Sequence, residues 1–377
     1  MYKDHSKNYK KILVCLISII LAGCVSAPEK SVNIVVNPNV PMAAGDFIEA
    51  CKEIRLSNSD SCLISNIKGV RMSDDYIALL SSGQIFLFDS SGIFLRRIGG
   101  VGHGRGEYIS VSDFHLYEDK VLVLSTYQNA LLEYAVDGTY VRTHVLDDKY
   151  HRFQVLDGRS VVFASENSND THSNFVWYDL TTDKVSGSSA YFKNNESLVL
   201  SEFNAFVGKK EHLFVCSPFD YTVYSLKGVG QEPEAVVVFD FQTSERLPQD
   251  KETRSYMELD ECSQNRNVVR YLSAYSEVGN ALYLVYPLFG NYGIRTRITR
   301  IEESGDNRTC EIGMEIDSTF HYFCLGRYQG LYDNNIVMVG EADALLMFEK
   351  SNGYTHFSSS GLKEGDNPIL FLYKLKP

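Results

Sequence analysis

Several signatures are missing from this sequence, and each absence removes a class of function. No Cys-x-x-Cys occurs, and no cysteine and histidine stand at zinc-ligand spacing, which removes the commonest small metal and redox sites. No Gly-Lys-Ser or Gly-Lys-Thr follows a glycine run, so there is no P-loop. There is also no Gly-x-Ser-x-Gly, His-Glu-x-x-His or EF-hand loop. Positive charge is short: 36 Lys and Arg face 48 Asp and Glu, a net charge of −12. A phosphate backbone is repelled by such a field, so nucleic acid is not an expected partner, and anionic lipid surfaces are disfavoured alike. The apolar run Ile12 to Leu21 is only ten residues long, and a spanning helix needs ~20.

What is present starts with an address. Lys3, Lys7, Lys10 and Lys11 precede that apolar run, and Leu21-Ala22-Gly23-Cys24 closes it. A basic head, an apolar stretch and small residues before a cysteine form, in that order, a bacterial lipoprotein signal over residues 1–23, with Cys24 as the lipid-accepting thiol. The anchor is then lipid, and the mature chain needs no transmembrane helix. Val25 rather than Asp after the cysteine points, by analogy with known sorting rules, to the outer membrane. Removing residues 1–23 takes away four lysines and one aspartate and leaves 32 basic and 47 acidic residues, a charge of −15. Residues 24–45 hold three of the nine prolines and read as a tether to a domain over 46–377. Cys51, Cys62, Cys216, Cys262, Cys310 and Cys324 remain, and their disulfide state is open. A chain this long needs none to fold.

The domain is repetitive. Residues 66–98 (NIKGVRMSDD, YIALLSS, GQIFLFDSSG, IFLRRI) read as four strands joined by tight turns, and residues 111–146 repeat the pattern. Asp-Gly and Ser-Gly at the third turns supply the positive φ that short hairpins need. Second strands start near 77, 121, 161, 213, 282 and 336, a spacing that fits four-stranded blades with one insertion, the polar stretch 243–267, where a short helix is expected. Ala342 to Ser351 also has room for a helix turn. KEIRL (52–56) stands alone before the first blade, and ILFLYKL (369–375) stands alone after the sixth. The predicted fold is all-β, a six-bladed β-propeller closed by pairing of these N- and C-terminal strands.

Phe94 to Tyr108, with its glycine-rich crossover, resembles the NHL-like six-bladed β-propeller lipoproteins of Gram-negative bacteria. The crossover reads Gly102-His103-Gly104-Arg105-Gly106-Glu107-Tyr108, with arginine where the family usually has proline. Asn367-Pro368 before the last strand is similar to the family too. The resemblance covers 46–377; it implies the fold and says little of function.

Candidate contacts follow from the blade pattern. Glycines at 99, 100, 102, 104 and 106 let the backbone approach an anion or a neighbour closely, and His103, Arg105, Glu107 and Tyr108 could line the channel mouth. The alternative is a merely tight crossover with Arg105 and Glu107 in salt bridges between blades. Asn169 and His172 fall in the polar turn 167–172 on the same face, which could hold a sugar or a cation, or be a solvated loop. Tyr271, Tyr275, Tyr283, Tyr286, Phe289 and Tyr292 form an aromatic concentration read as packing between blades, and mid-strand Trp177 reads as core. Six-bladed propellers include calcium- and zinc-dependent enzymes, so His103, His115, His151 and His321 are scattered candidates for a metal site. No cofactor is required by the sequence, though calcium or zinc would suit such a site. The expected role is a non-catalytic envelope module binding a glycan, peptide or partner protein. The alternatives are a metal-dependent hydrolase or lyase in the channel, and a structural subunit docked through 243–267.

Overall fold

The computed structural model describes residues 31–164, 174–189, 204–208, 213–248, 254, 256–263, 267–290, 293–313 and 316–377. Six antiparallel sheets stand around an axis, as the repeat pattern predicts. The first blade is Ile67–Met72, Tyr76–Ser81, Gln84–Asp89 and Phe94–Ile98; the second is Asp113–Tyr117, Lys120–Ser125, Ala130–Ala135 and Tyr140–Val145; the third is Arg152–Asp157, Ser160–Ala164, Phe175–Asp179 and Lys184–Ser189. In the fourth blade the innermost strand shrinks to a bridge between Phe206 and Val215, followed by Phe214–Val215, Thr222–Ser225 and Glu234–Phe241. The fifth has a broken inner edge, Val268–Val269 and Ala274–Val278, both paired with Ala281–Gly290, then Gly293–Ile301 and Asn307–Glu311.

Alternation explains how a blade buries both faces. In the first blade Ile77 and Leu79 pack toward the sixth blade, while Ala78 and Leu80 pack toward the second. The turn between the middle strands is Ser82-Gly83, both at positive φ (49° and 79°), the primed geometry that matches strand twist. Trp177, Tyr271, Tyr275, Tyr283 and Tyr286 are all buried in such interfaces, as strand aromatics should be. Tyr292 and the Phe289 side chain lie outside the described residues.

Six apolar clusters fill the six interfaces, including one between the sixth blade and the first. An open row of six blades would have five, so the ring is closed. Closure is made by the ends of the chain. The sixth blade is Arg327–Tyr332, Asn335–Gly340, Ile369–Leu375 and, outermost, Ile48–Arg55, whose register runs from Ile48 opposite Leu375 to Arg55 opposite Ile369.

The N-terminal segment departs from the tether expected over 24–45. Val32–Val36 is a strand, parallel to Glu234–Phe241 on the outer edge of the fourth blade. The chain then crosses to the fifth blade, where Thr309 N donates to Val40 O at 2.8 Å and Met42 N donates to Thr309 O at 2.9 Å. Asn307 clasps the crossing point: its Nδ2 donates to Val35 O and its Oδ1 accepts from Asn37 N, both at 2.8 Å. Val-Asn-Ile-Val-Val is β-prone, and a parallel partner that pairs Val32 with Val237 is not readable from local pattern. Cys24 and residues 1–23, the expected signal, lie outside the described residues.

Among the described residues, helices occur where the repeat is interrupted. Tyr256–Ser263 lies in the insertion 243–267, and Ala342–Asn352 connects the second and third strands of the sixth blade, followed by the short helix His356–Ser359. Among the described residues, no helix is long and apolar enough to cross a membrane.

Candidate functional site

Strand alternation fixes which loops share a face. Links from an outer strand to the next inner strand emerge at the same end as links between second and third strands. That face therefore carries the crossover 99–112, the crossover 312–326 and the helical connection 341–368.

The first crossover is folded onto itself. Gly100–Val101 pairs in parallel with Glu107–Tyr108, and the Glu107 carboxylate accepts from Gly104 N at 2.8 Å. A Cβ on Gly102 would lie 2.1 Å from that carboxylate, so a side chain there would have to push Glu107 aside. The amide that an external anion would seek is already taken by this chain's own carboxylate. Tyr108 is fully buried; its hydroxyl donates to Ile98 O at 2.8 Å and accepts from Gln84 Nε2 and Ile85 N. Tyr108 is thus a core residue, a correction to its expected place at the channel mouth. Arg105 lies over the Tyr140 ring at 5.7 Å, a cation–π contact. His103 is exposed at the loop tip. Asn169 and His172 lie outside the described residues.

The inner ends of the first three blades are joined by a buried carboxylate. Asp113 Oδ1 accepts from Arg71 at 2.8 Å, and its Oδ2 accepts from Phe153 N at 3.2 Å, with His115 Nε2 at 3.7 Å. Burial pushes the Asp113 carboxyl up, but Arg71, His115 and Arg152 together outweigh it and hold the group well below the usual carboxylate range. The same burial lowers His115, which favours its neutral form. His115 is thereby spent on an inter-blade joint, and His321 lies in the sixth blade's crossover. Among the described residues, no three His, Cys, Asp or Glu side chains gather closely enough to hold a metal ion.

The feature that sequence reasoning missed is a cleft of about 270 Å³ on the loop face at the rim of the sixth blade. Its floor is strand surface: Cys51 and Glu53 on the N-terminal strand, with Tyr373 and Phe371 directly opposite them. One wall is the crossover, with Thr319, Phe320, His321 and Tyr322; the other is Tyr354, Thr355 and His356, between the two helices of the connection. The walls are rigid. Tyr354 is stacked on His321 (4.5 Å between centroids, 17° between planes) and on Phe348 from the helix. Glu349, almost wholly buried, accepts from Phe357 N (2.6 Å), Ser358 N (2.9 Å) and the Tyr322 hydroxyl (2.8 Å). Asp317 caps the crossover through Gly45 N, Thr319 N and Phe320 N.

Polar groups of the cleft are paired with one another. Glu53 accepts from His356 Nε2 with both oxygens, at 3.0 and 2.9 Å. Beside them Cys51 is not an activated nucleophile: burial, reinforced by Glu53, pushes its thiol up to about 12. Each imidazole of the cleft is oriented through one ring nitrogen: His356 through Nε2 on Glu53, and His321 through Nδ1, 2.9 Å from Asp317 O. Signals for this site existed in part, since Cys-Lys-Glu alternation places Cys51 and Glu53 on one face. What places His356 beside Glu53 is the pairing of the chain ends and the helical connection between them.

Residues 30–374 match the model of a family described as a domain of unknown function, DUF4934, and the chain belongs to that family. A crystal structure of a protein from Bacteroides fragilis NCTC 9343, described as exported, is similar at a TM-score of 0.70 and 20% identity, covering 92% of this chain and 100% of that one. A DUF4221-family member from Bacteroides vulgatus ATCC 8482 is similar at a TM-score of 0.48 and 10% identity, covering 87% of this chain and 97% of that one. No functionally curated protein matches the sequence.

Proposed function

Taking the chain as a member of the DUF4934 family, we propose that it is an exported, lipid-anchored propeller of the bacterial cell envelope that binds a ligand without transforming it. Export is supported by the signal over residues 1–23 and by the described export of the B. fragilis relative. The lipid anchor rests on Leu21-Ala22-Gly23-Cys24, and Val25 favours the outer membrane. The observation that carries the binding role is the aromatic-walled cleft at the rim of the sixth blade. It is a concave site with few polar groups, set between elements that are themselves locked by Glu349 and Asp317, as a preformed binding site should be. Burial, reinforced by Glu53, holds its thiol in the protonated form, which supports reading the cleft as a recognition surface without an activated thiolate.

Glycan and peptide arrays probed with the mature protein test this. Thr319 is exposed at the cleft wall, and Thr319→Trp fills the cleft without touching the core. Retention of a discrete set of ligands, lost in Thr319→Trp, is the expected result. Retention that Thr319→Trp leaves intact would move recognition elsewhere, and turnover of a retained ligand would sink the non-catalytic role.

A further inference from the structure

The cleft also carries information about what enters it, and this inference rests on the binding role just proposed. We propose that its guest is a cation, a primary ammonium or guanidinium on an aliphatic stem, with Glu53 as counter-ion.

Three observations converge. First, among the described lining residues Glu53 is the only carboxylate, and none is Lys or Arg. Arg55, on the same face of the strand, turns to Ser360, with its Nη1 donating to Ser360 O at 3.1 Å. An anionic guest would meet a carboxylate with no fixed cation to offset it. Second, Glu53 is held by one partner that can leave. His356 lies half in solvent (54% exposed) and Glu53 is 30% exposed, whereas the neighbouring acids Glu349 and Asp317 are each saturated by backbone amides. Third, Phe320, Tyr322, Tyr354, Phe371 and Tyr373 make five of the eleven lining residues aromatic. Ring faces are electronegative, and Phe320 and Tyr322, the part-exposed rings of the crossover wall, suit a cation held beside one carboxylate. Tyr354 is covered on both faces by His321 and Phe348, which leaves it no broad platform for a sugar ring. At about 270 Å³ the space is at the small end of ligand sites, ~300 Å³ and upward, and suits one side chain rather than an oligosaccharide. The net charge of −12 draws cations toward the surface.

Calorimetric titration of the mature protein decides the matter with four probes of one stem length: butylamine, butylguanidine, butanol and butyrate. The two cations should bind and the alcohol and acid should not. Glu53→Gln should weaken cation binding tenfold or more. His356→Gln, which removes the internal competitor, should tighten it; a site that was only structural would show no gain. A blocked lysine tripeptide binding more tightly than butylamine assigns the cation to a peptide, and equal affinity assigns it to a free amine; either supports the class. Butanol binding as well as butylamine, unaffected by Glu53→Gln yet blocked by Thr319→Trp, would overturn the cationic guest while leaving the binding cleft standing. No binding of either cation overturns the proposal outright.

Discussion

Glu349 and Tyr322 meet at 2.8 Å across the base of the cleft, and this bond ties the sixth blade's helical connection to the crossover from the fifth. Glu349 also accepts from two amides of the next helix. Burial raises its carboxyl, but these donors outweigh burial and hold the group below the ordinary glutamate range. Glu349→Ala leaves two amides and a hydroxyl without their acceptor, at a cost of about 2–4 kcal/mol. Glu349→Gln keeps the shape and should cost less. Denaturant melts of the two variants check the order, and equal stability to wild type would mean the cleft wall is held by packing alone.

Asp113 predicts how the ring responds to acid. Its folded-state carboxyl is depressed, so the stability it contributes is present above the unfolded value, ~3.9, and is lost as pH falls below it. Asp113→Asn should therefore melt lower than wild type at pH 7, by about 3 kcal/mol for a broken buried pair. The gap should narrow as pH falls below ~3.9, because the unfolded chain takes up the proton there while the folded carboxylate still holds its charge. A gap independent of pH would show that Asp113 acts through its shape.

The N-terminal strap should behave as a second clasp beside the closed ring. Asn307→Ala removes two hydrogen bonds to the strap and should cost about 1–2 kcal/mol. Amide exchange along Val237 to Phe241, the edge that Val32–Val36 covers, should accelerate in that variant. Unchanged exchange there would mean that the strand pairing holds without the clasp.

The first crossover separates structural from spare residues. Gly102→Ala must displace the Glu107 carboxylate, and Tyr108→Phe deletes a hydroxyl with three partners. Each should lower stability by about 1–3 kcal/mol. His103→Ala, at an exposed tip, should stay within about 0.5 kcal/mol. Thermal melts of the three variants read the difference directly.

Much of the fold was legible because a propeller repeats one local rule. Runs such as Tyr76 to Asp89 name their strands and turn by alternation and a Ser-Gly pair, and the orphan strands at the two ends implied the closing blade. The strap was not legible, because Val32–Val36 finds its partner across the ring and nothing local encodes that pairing. The crossover was legible as a feature but not in its role: glycine spacing cannot show that Glu107 folds back onto Gly104 N. The cleft was least legible of all. Glu53 and His356 are brought together by closure of the ring, and each alone looks like an ordinary surface residue.

Amide exchange of the mature protein with and without a ligand retained on an array tests the central claim most directly. Protection confined to 317–323 and 352–358, the two walls of the cleft, is the predicted result. Protection at 99–109 or in the insertion 243–267, with the cleft walls unchanged, would contradict it.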